Sequence, residues 1–234
     1  RIGFISSSLA SALILAIAAL FQQIGIVTTS ATNAGLYTSL YVIMVPLIGI
    51  FLFKIPHWSI WPCVTICFFG SVLLGTSDGD LFLLNLKYGD IWIISSAVFW
   101  AIHLHIVSYS VARFPVLIFS ILQFILCGIF LLLYGIFFQS SSIFSFERVD
   151  ILGFFILVYC SVGSVCIGFT LQMFGQKLVP PTSAALIMSS EAIFAAIFGW
   201  LILSELLNFR GFFGASLILL GIILVQIIPK LKRF

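Results

Sequence analysis

Long apolar runs follow one another along this chain, each bounded by charge, glycine, proline or asparagine, and their lengths leave few ways to fold. A helical crossing of a bilayer takes about 20 apolar residues. Runs at 4–27, 34–53, 58–75, 90–110, 115–138, 150–175, 182–203 and 210–229 are each near that length. The fold class predicted is therefore an all-α polytopic membrane protein with eight spanning helices. Composition agrees, because 7% of residues are charged and 62% are hydrophobic, whereas soluble domains carry about 25% charged residues. A soluble protein of this size is excluded. Local signals mark the boundaries. Pro56 and Pro62 break the chain after the second run, Asp90 caps the fourth, Pro180 and Pro181 open the seventh, and Asn208 caps the eighth.

Several function classes fall away early. A net charge of +3 gives no reason to expect nucleic acid as a partner. The five cysteines, Cys63, Cys67, Cys127, Cys160 and Cys166, all lie in apolar runs; an odd number so placed argues against a secreted disulfide framework. Cys63 and Cys67 are one helical turn apart, but no His or acid joins them at ligand spacing, so no metal and no cofactor is expected. Ala10, Ser11 and Ala12 imitate a signal-peptidase site, yet the apolar run continues to Val27, too far for a signal peptide.

Loop charges orient the helices, since Lys and Arg accumulate on the cytoplasmic side of short loops. With eight spans, one side collects Arg1, Lys54, Arg113, Lys177, Lys230, Lys232 and Arg233, seven of the ten cations. The other side collects Lys87, Arg148 and Arg210, with Asp78, Asp80, Asp90, Glu147, Asp150 and Glu205. A multi-pass protein of the cytoplasmic (inner) membrane, with both ends of this chain cytoplasmic, is the expectation.

Sliding the chain against itself by 150 residues aligns the first three helices with the last three. Gln22 meets Gln172, Gly25 meets Gly175, Thr32 meets Thr182, Ser39 meets Ser189 and Gly49 meets Gly199. Such polar and small residues are sparse here, so one ungapped register for all of them carries weight. Five helices separate the aligned pairs, and an odd number of crossings reverses direction. The two units therefore have inverted topology, a plan on which secondary transporters are built. Residues 1–79 read as the last three helices of a first five-helix unit and residues 80–234 as a complete second one. The arithmetic puts the start of the first unit about 60 residues before Arg1. With position 1 not a methionine, the chain is expected to be part of a ten-helix (5+5) protein lacking its first two helices.

Four stretches resemble a known family. Asn33 to Pro46 (NAGLYTSLYVIMVP), Gly89 to Val107 (GDIWIISSAVFWAIHLHIV), Ser183 to Glu205 (SAALIMSSEAIFAAIFGWLILSE) and Gly211 to Val225 (GFFGASLILLGIILV) are similar to the fourth, sixth, ninth and tenth helices of EamA-type permeases of the drug/metabolite transporter superfamily. The resemblance implies a ten-helix carrier for amino acids, nucleosides, drugs or related metabolites, commonly by export. One departure stands out. Family members commonly place proline directly after the mid-helix Glu of the ninth helix, and this chain has Ala192 there, so the proline that would kink that helix is missing.

Candidate site residues follow from the cost of polarity in a membrane. Glu191 is an acid at the middle of a span, a placement that costs roughly 2.5 to 3.5 kcal/mol. It is expected to bind a substrate amine or exchange a proton, the alternative being an acid bonded to a neighbouring helix. Tyr41 is its repeat mate, and a pseudo-twofold axis would set the two on opposite walls of one midplane site. Tyr37 lies one turn earlier on the same face. Trp92, Ser96, Trp100 and His103 form one stripe of the fourth helix, of which Trp100 and His103 are candidates for the pathway, with His105 facing elsewhere. Gln22, Gln172 and Gln123 complete the set, as substrate contacts or as bonds between helices. Small residues at four-residue spacing, such as Cys160, Ser164 and Gly168, are expected to let helices approach closely.

No G-x-S-x-G elbow, H-E-x-x-H motif or pair of intramembrane acids is present, so an enzyme is not expected. The function read is a secondary transporter, exporter or exchanger, of a small metabolite, amino-acid-like or drug-like solute by alternating access. The alternative is a channel or a structural membrane subunit. Partners are then a small-molecule substrate, the lipid bilayer and a coupled proton or counter-substrate, with self-association into a homo-oligomer left open.

Overall fold

The computed structural model describes residues 2–53, 56–75, 87–138, 150–204 and 208–231. Arg1, Lys54, Asp78, Asp80, Glu147, Arg148, Glu205, Lys232 and Arg233 lie outside the described residues. Among the described residues all regular structure is helical: α1 (Ile2–Ile26), α2 (Ala31–Ser39), α3 (Tyr41–Phe51), α4 (Ile60–Gly75), α5 (Tyr88–Val111), α6 (Val116–Phe138), α7 (Ile151–Val158), a π-helical stretch (Tyr159–Phe169), α8 (Thr170–Leu178), α9 (Pro181–Met188), α10 (Ser190–Leu203) and α11 (Phe209–Leu231). Grouped by continuity, they make the eight apolar segments expected. Seven are long and apolar enough to cross a membrane, and Ile60–Leu74 is shorter. Pro62 lies in its first turn, where a missing N–H costs no intrahelical bond.

Short side chains fix the helix starts. Ser30 Oγ accepts from Asn33 N (3.2 Å) to cap α2, Asp150 Oδ1 from Gly153 N (2.8 Å) to cap α7, and Asn208 Oδ1 from Gly211 N (3.1 Å) to cap α11. Asp90 serves α5 from its first turn, accepting the Lys87 N–H (2.8 Å) as the acidic half of a capping box. Pro181 opens α9, where a missing N–H costs nothing.

The chain divides into two compact units, Arg1–Ala16 with Ile106–Val179, and Ile17–His105 with Pro180–Phe234. Each draws on both halves of the sequence repeat. The smaller unit has a core of Val107, Val111, Val116, Phe119 and Met173. Within it Ser11 bonds Gln123 across α1 and α6. The span formed by α7, the π stretch and α8 leaves nearly all of its apolar side chains exposed, as expected of a face turned to lipid or to other helices.

The larger unit shows how the repeat folds. Ser39 Oγ donates to Leu36 O (2.7 Å), and 150 residues later Ser189 Oγ donates to Leu186 O (2.6 Å). A hydroxyl bonded back into the preceding turn competes with the backbone ladder and bends the helix. Both spans are interrupted there, at Leu40 (ψ −20°) and at Ser189 (ψ −13°). The ninth-helix segment is thus interrupted, at Ser189, without the proline that the resemblance implied after Glu191. The half-helices then cross-pack in repeat-related fashion, α2 on α10 and α3 on α9.

Helices α4 and α11, also repeat mates, pack closely along their lengths. A Cβ on Gly70 would stand 2.7 Å from the Gly214 carbonyl oxygen, and one on Gly221 would strike the Cys67 sulfur. Contacts that run from Gly70 to Gly214 and from Cys67 to Gly221 make the pair antiparallel. Glycine is required because backbone meets backbone. The core beside this pair gathers Tyr41, Val42, Val45, Cys63, Cys67, Ala97, Ala101, Leu104, Leu186 and Val225.

Candidate functional site

Two polar residues of the larger unit stand beside the interruptions at Leu40 and Ser189. Each break is followed at once by a repeat-related side chain, Tyr41 as the first residue of α3 and Glu191 in the first turn of α10. The Glu191 side chain is exposed. Among the described residues no hydrogen bond or ion pair engages that carboxylate.

Tyr41 is 2% exposed, and its hydroxyl has no hydrogen-bond partner among the described residues. Glu191 and Cys67 are close enough to act on it electrostatically. The Cys67 thiol lies 3.6 Å from the Ile218 carbonyl oxygen and within hydrogen-bond reach of the Ser189 hydroxyl. A phenol, a carboxyl, a thiol and a serine hydroxyl thus converge from α3, α10, α4 and the α9–α10 break. Such a set can hold a polar or cationic solute by hydrogen bonds and charge. It contains no Lys or Arg to balance a phosphate.

A second polar group joins α1, α2 and α5. Trp100 Nε1 donates to Gln22 Oε1 (2.9 Å), Gln22 Nε2 to Thr38 Oγ1 (3.3 Å), and Thr38 Oγ1 to Ala34 O (2.8 Å). His103 is wholly buried and meets the Trp100 ring edge-on at 5.9 Å. Tyr37 is buried and its hydroxyl bonds Asp90. Glu191, Tyr41, Tyr37, Trp100, His103 and Gln22 therefore all belong to the larger unit, whereas Gln172 and Gln123 belong to the smaller one. Gln172 Nε2 donates to Gln176 Oε1 (3.3 Å), and Gln176 Nε2 to Ser108 Oγ (3.2 Å). With Gln123 held by Ser11, both amides of the smaller unit bond between or along helices.

Sequence reasoning passed over Cys67, Ser189 and Asp90 as site residues. Ser189 had a signal, its match to Ser39 in the repeat. Cys67 had none, because a thiol in an apolar run looks like any buried cysteine. His105, expected to face away from the stripe, does so: its Nε2 bonds the Val45 carbonyl oxygen (2.8 Å) and ties α5 to α3.

Residues 87–227, more than half of the chain, match the model of the EamA-like transporter family. The chain belongs to this family. It is accordingly a multi-pass membrane protein of a transporter family, in agreement with its apolar helices. Over 209 residues it is 29% identical to an uncharacterized transporter of Archaeoglobus fulgidus, an alignment that takes in 88% of this chain and 64% of that protein's length. The chain thus spans less than two thirds of that relative. A solved crystal structure is similar over 99% of this chain and 89% of its own, with a TM-score of 0.72 and 14% identity, a likeness of fold.

Proposed function

We propose that this EamA-family chain works as a secondary transporter, an exporter or exchanger that moves a small amino-acid-like or drug-like solute across the cytoplasmic membrane by alternating access. The observation that carries the reading is the pairing of an exposed carboxyl, Glu191, with a buried hydroxyl that has no hydrogen-bond partner among the described residues, Tyr41, each beside the interruption of its helix. Broken helices that present polar groups within the membrane are how carriers of inverted-repeat design hold their cargo. Glu191 takes the substrate's positive group or a coupled proton. Tyr41 supplies a hydrogen bond that protein groups leave free, and Trp100 and Gln22 form part of the wall.

Substitution of Glu191 by Gln tests this directly, since shape and hydrogen-bonding capacity are kept while the charge is lost. Metabolite comparison of cells with and without the gene first identifies the solute, and vesicle uptake and counterflow then measure it. Glu191→Gln should insert and accumulate normally but transport at least tenfold more slowly, equivalent to about 1.4 kcal/mol in the limiting step. Where the acid is the coupling group, net transport loses its pH dependence while exchange persists. Unchanged transport would overturn the reading, and flux without saturation or counterflow would replace the carrier by a channel.

A further inference from the structure

Asp90 does more than cap α5. It is 2% exposed, and its carboxylate gathers three donors from three places in the larger unit. The Lys87 N–H is 2.8 Å from Oδ2, the Thr29 hydroxyl is 2.7 Å from Oδ1, and the Tyr37 hydroxyl forms a third bond. Thr29 sits in the turn between α1 and α2, and Tyr37 sits on α2, one turn before Tyr41. A helix cap needs only the first of these bonds. The other two tie α2 and its leading turn to the end of α5.

The surroundings show which partner is fixed. A Cβ on Gly89 would strike Thr28 Oγ1 and the Gly25 carbonyl, and one on Gly25 would stand 2.6 Å from the Gly89 carbonyl oxygen. Backbones that approach so closely lock the end of α1 to the start of α5. Gly35 of α2 lies against Ala192 and Ala195 of α10. Helix α2 therefore lies between the α1–α5 corner, to which polar bonds and a buried cluster of Ala34, Leu36 and Tyr37 with Ile93 hold it, and a close seam with α10. Its nine residues, Ala31–Ser39, lead from the end of the unit down to the break that carries Tyr41.

We propose that Asp90 is a positioning residue of the transport cycle: its bonds to Thr29 and Tyr37 latch α2 against the α1–α5 corner and close the solute path at the end where α1 finishes and α5 begins. Opening toward that side requires both bonds to break while the cap on Lys87 persists. The inference rests on the carrier reading, but its test does not require transport.

The test uses the chain with Cys63, Cys67, Cys127, Cys160 and Cys166 replaced by Ala and a single reporter, Leu40→Cys, at the α2–α3 break. A membrane-impermeant maleimide is applied to sealed vesicles from one face and then from the other. Thr29→Val and Tyr37→Phe each delete one latch bond and leave the cap alone. Each should speed labelling about threefold, the worth of one interhelical hydrogen bond in a membrane, and only from the face where α1 ends. The double variant should show the product of the two. Asp90→Ala, which loses the cap too, should label fastest but with a lowered unfolding temperature. Unchanged labelling in Thr29→Val and Tyr37→Phe would overturn the latch, and so would an equal rise from both faces, the mark of general loosening. A latch that fails beside a Glu191→Gln variant that still loses transport leaves the carrier reading standing. The converse result retires the carrier and keeps the latch.

Discussion

Tyr41→Phe gives the clearest separation of function from stability in this protein. The hydroxyl is buried, with 2% of the residue exposed, and no described group bonds it. A buried polar group without a hydrogen bond costs about 1–3 kcal/mol. Removing the oxygen relieves it and opens a void of one atom, which returns part of the gain, so a net stabilisation of about 1 kcal/mol is expected. In thermal unfolding of the purified protein this should appear as a rise of about 2–4 °C for a chain of this size. Binding should move the opposite way. If the hydroxyl waits for the solute, its loss weakens affinity about fivefold, equivalent to about 1 kcal/mol. Substrate added at saturation should then stabilise the natural protein more than the variant. A Tyr41→Phe protein that unfolds several degrees earlier would show that the hydroxyl has a structural partner, and unchanged affinity would remove Tyr41 from the solute path.

Two further outcomes test the packing and the orientation. Gly70→Ala and Gly214→Ala each place a methyl group against opposing backbone, 2.7 Å and 2.5 Å from the partner glycine's carbonyl oxygen, and should cost about 1–3 kcal/mol in unfolding measurements. Gly128→Ala meets nothing within 4 Å and should be neutral or stabilising by up to about 1 kcal/mol through helix propensity; equal effects at all three positions would refute the close antiparallel seam. A reporter fused after Lys232 should be cytoplasmic, and one inserted near Asp80 external, as the division of loop cations requires. Labelling of both from one face would overturn the eight-span count.

Sequence alone settled the membrane class and the apolar segments that form the helices. Apolar length and sparse charge act locally, and no tertiary detail alters what about 20 uncharged residues do in a bilayer. Ser39 and Ser189, matched in sequence, also make matching bonds to carbonyls three residues back within their own helices. Environment was another matter. Gln22 and Gln172 match in sequence, yet one links Trp100 to Thr38 and the other bonds Gln176. Gly25 and Gly175 match as well, but a Cβ on the first would collide with α5 and one on the second would meet nothing within 4 Å. The sequence offered Asp90 as a cap and Tyr37 as a pathway residue, and only the fold joined them in one buried hydrogen-bonded group with Thr29. Cys67 reached the neighbourhood of Tyr41 and Ser189 in the same way, through packing of α4 that no spacing reveals. A side chain's type and its place in a helix are local properties of the chain, whereas its partners depend on how helices distant in sequence come to pack, and that was decided by the tertiary structure.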